Sequence, residues 1–305
     1  MNLMREHTWN PSPGDGTHVR RERDPSDMSK LIFFDIDGTL AMPGTSPSEE
    51  TAGAIRAARA AGHRAFICTG RGVELVGEDI SGIGFDGGIY HAGGQAILDG
   101  KLVYENASDP AMVDELLPVI TKYASFYTIE TEAGDFNSEF DPEILSRIRL
   151  DQANTELQRM IHLVLTQKHF PVSAYRGEKV YKIFFFLEHM EDYLAIEKQI
   201  GPDYLAVSFQ NMTSDMPIFG AEICKKDVNK GNAIEGVCRY LGADIADTIA
   251  FGDSMNDMAM IRAAGLSVAM GNSEQRIKDA ADIVCESCAD NGIAKELERL
   301  GLTRP

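Results

Sequence analysis

Lys30 to Leu40 read K-L-I-F-F-D-I-D-G-T-L, and this stretch decides the fold. Leu31–Phe34 predict a strand buried on both faces, because a strand with one exposed face would alternate apolar with polar residues. The run ends in Asp35 and Asp37, two carboxylates that would repel each other beside a core unless a divalent metal balanced them or one stayed protonated. Open α/β sheets bind ligands at the ends of parallel strands, so we expect the active site here.

Composition limits the class of protein. The 305 residues, 44% hydrophobic and 25% charged, suit one large globular domain or two moderate ones, and we expect two. The net charge of −18 excludes a broad basic surface for nucleic acid, although a metal and a few cations can still hold a small anion. Five scattered cysteines, no membrane-length apolar run and no export leader favour a cytoplasmic protein that contacts no membrane.

A second strand predicted near the N-terminus also delivers polar groups at its end. Ser48–Ala61 predict an alanine-rich helix that stops at Gly62, and Arg64–Cys68 predict a short strand that ends in Thr69-Gly70-Arg71. The segment G-I-G-F-D-G over residues 82–87 fits a dinucleotide pattern, but it lacks the strand before it and the helix after it, and we interpret it as a turn.

The C-terminal part returns to this style. A helix is predicted to open at Lys230-Gly231, and a buried strand over Thr248–Phe251 ends in G-D-S-M-N-D, which carries Asp253, Asn256 and Asp257. Three predicted strands thus end in polar residues, and Asp35 and Asp253 are expected on neighbouring strands.

The middle of the chain has its own helices and strands. We interpret it as a second α/β domain, inserted into the first. Its predicted strands are 126–132, 180–187 and 205–209, and its predicted helices are 110–123, 143–169 (one long or two short) and 192–200.

The predicted domains follow from these patterns. Residues 1–29 hold few apolar residues and predict a disordered leader, which could come from an alternative start site or from sequence added for expression. Residues 30–92 and 223–305 predict a discontinuous Rossmann-like core with a parallel sheet, and residues 93–222 an inserted α/β cap domain.

The polar residues expected at one sheet edge suit phosphoryl transfer. Asp35 and Asp253 offer hard oxygen ligands of the kind that Mg²⁺ accepts. Asp35 can also attack phosphorus to form an aspartyl-phosphate, and Asp37 can protonate the leaving alcohol and then deprotonate water. The Thr69 hydroxyl and nearby backbone N–H groups can hold phosphoryl oxygens, and Lys230 can neutralise developing charge.

These motifs, D-I-D-G-T-L, T-G-R, K-G and G-D-S-M-N-D, resemble in order and spacing the four motifs of the haloacid dehalogenase-like superfamily. The large insertion between Thr69 and Lys230 resembles the Cof-type phosphatases of subclass IIB. The family's entry to the cap, Asn-Gly-Ala, is here Gly93-Gly94-Gln95, which puts a contact of that asparagine in doubt.

The resemblance implies Mg²⁺ bound by Asp35, Asp253 and the main-chain oxygen of Asp37, supported by Asp257. It also implies that Asn256 lies at the phosphate site, although this residue could equally cap a helix. Gly70 and Arg71 are expected at the phosphate site as well, with a solvated Arg71 as the alternative.

The expected activity is Mg²⁺-dependent hydrolysis of a small phosphomonoester, either a sugar phosphate or a phosphorylated cofactor. A sugar phosphomutase on the same core is the alternative, and a non-catalytic binding protein is a third hypothesis. Cap residues that select the substrate have no signature in spacing.

Overall fold

A computed structural model describes residues 29–139, 169–208 and 218–304, and it contains two sheets. The larger sheet has eight strands in the order β14-β13-β12-β1-β2-β3-β4-β5. All neighbouring strands from β14 to β3 are parallel. β4 is antiparallel to β3, and β5 is antiparallel to β4. Its strands are β1 Leu31–Phe34, β2 Arg64–Cys68, β3 Gly87–Tyr90, β4 Gln95–Leu98, β5 Lys101–Glu105, β12 Thr248–Gly252, β13 Leu266–Ala269 and β14 Ile283–Val284.

The smaller sheet has six strands in the order β10-β11-β9-β6-β7-β8, and all its pairs are antiparallel except β7 with β8. Its strands are β6 Phe126–Thr131, β7 Gly134–Asn137, β8 Phe170–Pro171, β9 Val180–Leu187, β10 Tyr204–Ser208 and β11 Phe219–Lys225. The helices that accompany the two sheets are α1 Glu49–Ala60, α2 Glu78–Ser81, α3 Ala111–Ile120, α4 Met190–Glu197, α5 Lys230–Leu241, α6 Met258–Ala263, α7 Gln275–Ala280 and α8 Gly292–Arg299.

The large sheet is covered on both faces, as the apolar run of β1 predicts. Ile32 and Phe34 belong to a buried cluster with residues of α1 and α8, while Phe33 belongs to a cluster with residues of α5. Phe33 stacks on Phe66 of β2, with ring centroids 5.0 Å apart. Consecutive side chains of a strand point to opposite faces, so β1 must be apolar throughout.

The small sheet packs α3 and α4 against one face. Ile129, Ile183 and Phe185 supply that face, and Met112 and Ile196 are among the helix residues they meet. All residues of this sheet lie between β5 and α5 along the chain, so it is an insertion into the larger unit. The predicted α/β class, a parallel-sheet core with an inserted α/β cap, is confirmed.

Two predicted junctions need correction. The sequence predicts residues 93–105 as part of the cap, but β4 and β5 form a hairpin that extends the eight-stranded sheet. The sequence predicts residues 223–225 as part of the core, but they end β11 in the six-stranded sheet. In both places the backbone pairing of the strands decides the assignment, and composition carries no signal of it. The division into two folding domains itself stays a prediction.

Several local predictions are confirmed. β2 and β9 have the predicted bounds, and α1 over Glu49–Ala60 lies within the predicted helix. The glycine-rich segment forms a turn up to residue 86, and β3 begins at Gly87. The predicted leader, except its last residue Ser29, and the predicted helix or helices over 143–169, except His169, lie outside the described residues. No helix among the described residues is long and apolar enough to cross a membrane.

Candidate active site

The three polar strand ends meet at one edge of the large sheet. β1 pairs with β12 on one side and with β2 on the other, and Phe34 lies opposite both Phe251 and Ile67. Asp35 is the next residue after Phe34, whereas Thr69 and Asp253 come two residues after Ile67 and Phe251. Because the three strands are parallel neighbours, all three residues lie at the same edge of the sheet.

Lys230, the first residue of α5, connects two of the carboxylates. Its Nζ donates to Asp35 Oδ1 at 2.6 Å and to Asp257 Oδ1 at 2.5 Å. Asn229 caps this helix by accepting the backbone N–H of Asn232, and the cap fixes where Lys230 enters the site. Lys230, Asp35 and Asp257 are all buried. A cation and two carboxylates in this contact form one charged unit.

Asp253 is fixed from several directions. Thr39 Oγ1 donates to its Oδ1 at 3.0 Å, and its backbone N–H donates to Asp257 Oδ2 at 2.9 Å. Asp257 Oδ2 also accepts the backbone N–H of Ser254 at 3.1 Å. Both oxygens of Asp257 are thus engaged by protein groups, which agrees with a supporting role. Gly38 has φ +89°, and a Cβ there would lie 2.2 Å from Asp253 Oδ2.

The charges at this site do not balance within the protein. Burial, followed by the charge of Asp257, raises the pKa of Asp35 to about 8 even though Lys230 opposes the shift. Burial and the charge of Asp35 likewise raise the pKa of Asp253 well above its usual value. For Lys230, burial opposes the charged form, but Asp257 and Asp35 outweigh it and raise the pKa.

A divalent cation fits this deficit of positive charge. Carboxylate oxygens of Asp35, Asp253 and Asp257 lie within 4.8 Å of one another. Three hard oxygen donors with no His or Cys among them suit Mg²⁺ rather than Zn²⁺. Because Asp257 already accepts three hydrogen bonds, Asp35 and Asp253 are the side chains suited to hold the ion.

Arg71 has a different partner from the one expected. Its Nε and Nη2 donate to Asp37 Oδ2 and Oδ1 at 3.0 and 2.6 Å, and its Nη1 donates to the Leu75 carbonyl at 3.2 Å. This bidentate contact fixes the orientation of the Asp37 carboxylate. Arg71 is therefore not simply solvated, and in this structure its guanidinium binds a carboxylate.

The remaining predicted residues, Thr69, Gly70 and Asn256, follow the ends of β2 and β12. Thr69 and Gly70 are buried, and Thr69 Oγ1 accepts the backbone N–H of Arg71 at 3.1 Å. Asn256 is partly buried, and its Oδ1 accepts from Ser254 Oγ at 2.7 Å. The turn that contains Asn256 has Ser254 as its N-cap with a full capping box, so the capping role predicted for Asn256 is wrong.

Two residues that support the site were not predicted. Thr39 belongs to D-I-D-G-T-L itself, directly after the tight turn, and that position was its only signal. Asn272 donates to the Gly38 carbonyl and accepts the backbone N–H of Cys288, both at 2.8 Å. Asn272 therefore connects the loop after β1 to the segment around Cys288 that precedes α8. Spacing along the chain does not indicate this contact.

A model of the haloacid dehalogenase-like hydrolases matches residues 32–297. The chain belongs to this family. It is 28% identical to the Bacillus subtilis 5-amino-6-(5-phospho-D-ribitylamino)uracil phosphatase YwtE, covering 89% of this chain and 98% of that one. It is 25% identical to phosphatase YwpJ of the same organism, covering 89% and 99%.

A solved structure of similar fold is described as the subclass IIB sugar phosphatase BT4131. It superposes with a TM-score of 0.72 at 25% identity, covering 90% of this chain and all of that one. The predicted family and the predicted class of enzyme, a hydrolase acting on phosphate esters, are confirmed. The site residues and their roles stay predictions, which the geometry above supports.

Proposed function

We propose that this hydrolase is a Mg²⁺-dependent phosphatase of small phosphomonoesters that works through an aspartyl-phosphate on Asp35. The observation that carries the proposal is the contact of Lys230 with Asp35 at the edge where Asp253 also ends its strand. Asp35, Lys230 and Asp253 are all buried at this edge, which supports their proposed roles as nucleophile, counter-charge and metal-binding carboxylate.

Each residue has a step in this reaction. An Asp35 oxygen forms a bond to phosphorus as the bond from phosphorus to the ester oxygen breaks, and Asp37 gives its proton to the departing alcohol. A water molecule then attacks the phosphorus of the aspartyl-phosphate, Asp37 takes its proton, and Asp35 is released with inorganic phosphate. Lys230 and the Thr69 hydroxyl stabilise the negative charge on the phosphoryl oxygens.

Mg²⁺, held by Asp35 and Asp253, would neutralise phosphoryl charge. We place the main-chain oxygen of Asp37 beside these ligands as the family resemblance implies. Asp257 is a positioning residue: one of its oxygens accepts a hydrogen bond from Lys230, and the other accepts the backbone N–H groups of Asp253 and Ser254 after β12. Its role is to hold the charged unit in place, and we assign Asn256 and Gly70 to the phosphate itself.

The substrate class rests on the relatives. YwtE acts on a phosphorylated ribityl compound and BT4131 is a sugar phosphatase, so we expect a sugar phosphate or a phosphorylated cofactor. A phosphomutase would share every step up to the aspartyl-phosphate and differ in the acceptor, so product analysis separates the two. A non-catalytic binding protein would show no turnover at all.

The test is phosphate release from a panel of phosphorylated metabolites, with Mg²⁺ and with EDTA. We expect turnover that needs Mg²⁺ and that Asp35→Asn abolishes. Matched denaturation curves of the two proteins show that the variant is folded. Turnover that persists in Asp35→Asn, or a wild-type protein that hydrolyses nothing on the panel, would contradict the proposal.

A further inference from the structure

A short segment between β3 and β4, residues 91–94, contacts both the inserted sheet and the loop after β2. His91 and Ala92 have φ of +50° and +56°, so two consecutive residues with a Cβ lie in the left-handed region. Such residues keep this conformation only where their surroundings fix it, and they are concentrated at functional sites. The contacts that hold this segment therefore bear on the function of the site.

On the core side, the segment is bound to the loop that carries Thr69 and Arg71. The backbone N–H of His91 donates to the Arg71 carbonyl at 2.9 Å, and that of Ala92 donates to the Thr69 carbonyl at 3.0 Å. The His91 ring lies so close to Gly72 that a Cβ on this glycine would be 2.9 Å from His91 Cε1. A shift of His91 would therefore move the backbone that carries the Arg71 side chain.

On the cap side, the His91 ring stacks on Tyr181 of β9. The ring centroids are 4.2 Å apart, and the planes are inclined by 17°. His91 Nδ1 also lies 3.3 Å from Glu130 Oε2 on β6. His91 is only 2% exposed, so solvent does not separate these groups. One buried side chain of the core thus contacts two residues of the cap sheet.

Gly94 permits the close approach of Tyr181. A Cβ at this position would lie 2.6 Å from the Tyr181 ring, although its φ of −69° is accessible to any residue. Gly93 is packed as closely against the residue before α5, where a Cβ would lie 2.2 Å from the Asn229 carbonyl oxygen. The segment has no room to move toward α5, so it cannot absorb a displacement of Tyr181 in that direction.

Arg71 connects this contact to the predicted acid. Its guanidinium binds both carboxylate oxygens of Asp37 at 3.0 and 2.6 Å, and its Nη1 donates to the Leu75 carbonyl at 3.2 Å. A general acid is effective only when its proton is directed at the leaving oxygen, so the orientation of the Asp37 carboxylate bears on the rate. The position of His91 thus affects the group that holds Asp37.

We propose that His91 is a positioning residue for Asp37, and that its stack on Tyr181 makes this positioning depend on the docked cap. The inference rests on the proposed function, because it takes Asp37 as the acid. With Tyr181 in place, the strained segment holds Arg71 where its guanidinium fixes the carboxylate. Without Tyr181 that constraint is lost, and proton donation to the leaving alcohol slows while Asp35 and its lysine remain in place.

Two aryl phosphates of nearly equal shape separate proton donation from the other steps. Phenolate is a strong base, since phenol has a pKa of about 10, as in tyrosine, and it needs a proton as it leaves. p-Nitrophenolate is a much weaker base and leaves with little help. The kcat/KM value covers the steps up to the release of the phenol. The ratio of kcat/KM between phenyl phosphate and p-nitrophenyl phosphate therefore reports how well Asp37 donates its proton.

Three variants disturb the stack. Tyr181→Leu and His91→Asn each remove one ring, and asparagine tolerates a left-handed φ; Gly94→Ala displaces the Tyr181 ring. Each should lower kcat/KM for phenyl phosphate by about tenfold, less than the roughly 10²–10⁴ that a positioned acid contributes, and for p-nitrophenyl phosphate by no more than about twofold. Tyr181→Phe keeps the ring and should restore the wild-type ratio. A purely structural defect would lower both values equally.

Gly53→Ala in α1 is the matched control, since its Cβ would enter open space, and it should change neither value. Asp37→Asn is the reference and should lose activity selectively on phenyl phosphate. If it does, equal losses on both substrates, or no loss, in all three stack variants would overturn the positioning role and leave the phosphatase standing. Equal losses in Asp37→Asn itself would overturn the proposed acid and this inference with it.

Discussion

Replacing Lys230 by methionine tests whether the site is a balanced charged unit. The Lys230 side chain is fully buried and its ammonium contacts Asp35 and Asp257 at 2.6 and 2.5 Å. Methionine fills most of the same volume but leaves both buried carboxylates without their counter-charge. Breaking a buried pair in this way costs about 3–5 kcal/mol in the free energy of unfolding. For a domain of roughly this core's size, that corresponds to a fall in Tm of about 6–20 °C.

The assay is thermal denaturation followed by circular dichroism at pH 8 in EDTA, so that no added metal replaces the lost charge. Lys295→Met is the control: its ammonium also pairs with a glutamate, Glu286, but 54% of the lysine side chain is exposed. Removing such a surface pair changes the free energy of unfolding by about 1 kcal/mol at most. The two variants therefore delete the same chemical group in buried and exposed settings.

The pH dependence gives a second measurement of the same effect. Burial and the charge of Asp257 raise the pKa of Asp35 in the folded state to about 8, and Lys230 opposes that shift. Without Lys230, the charged form of Asp35 costs the folded protein more stability as pH rises from the usual aspartate range toward that value. The difference in Tm between wild type and Lys230→Met should therefore widen from pH 5 to pH 8. A fall in Tm no larger than that of Lys295→Met, or a difference that narrows toward pH 8, would refute the charged unit.

Three further outcomes are expected. Gly38→Ala should abolish turnover and weaken Mg²⁺ binding, because its Cβ would lie 2.2 Å from Asp253 Oδ2. Gly44→Ala is the control and should keep activity, since Gly44 has φ +77° but its Cβ would enter open space. Equal activity of the two variants would contradict this prediction. Asp37→Asn should lose about 10²–10⁴ in rate yet show a phosphoryl group on Asp35 by mass spectrometry, and a phosphoryl group elsewhere would be inconsistent with the assigned roles. Mg²⁺ should raise Tm more at pH 8 than at pH 5. The pKa of Asp35 is raised to about 8, so ionising this buried carboxyl lowers the stability of the metal-free protein as pH rises from 3.8 toward 8, and Mg²⁺ would offset that loss. An equal rise in Tm at both pH values would argue against Asp35 as a ligand.

Long apolar runs and the motif residues were predictable from the sequence, whereas short pairings were not. β9 has the predicted bounds because Val180–Leu187 is an unbroken β-prone run. β4 and β5 follow the glycine pair 93–94 and are only four and five residues long, and their place in the sheet depends on β3. Such pairing is a tertiary effect that local preference does not encode.

The same distinction applies to the site. Asp35, Asp253 and Lys230 could be brought together from the order of strands, because parallel strands end at one edge. The partner of Arg71 could not, since a guanidinium near a phosphate site and beside Asp37 can bind either group. The contact between His91, which follows β3, and Glu130 of β6 joins residues 39 apart in the chain, and neither spacing nor composition indicates it.

The place of β1 between β2 and β12 also sets an order of assembly during synthesis. Asp35 precedes Lys230 by 195 residues. At ribosomal rates of about 5–20 residues per second, the acidic loop therefore emerges roughly 10–40 s before its counter-charge. Every strand of the six-stranded sheet is made within that interval. The inserted sheet is thus free to fold while the strand that must flank β1 is still untranslated, and the nascent core remains open until the last quarter of the chain arrives.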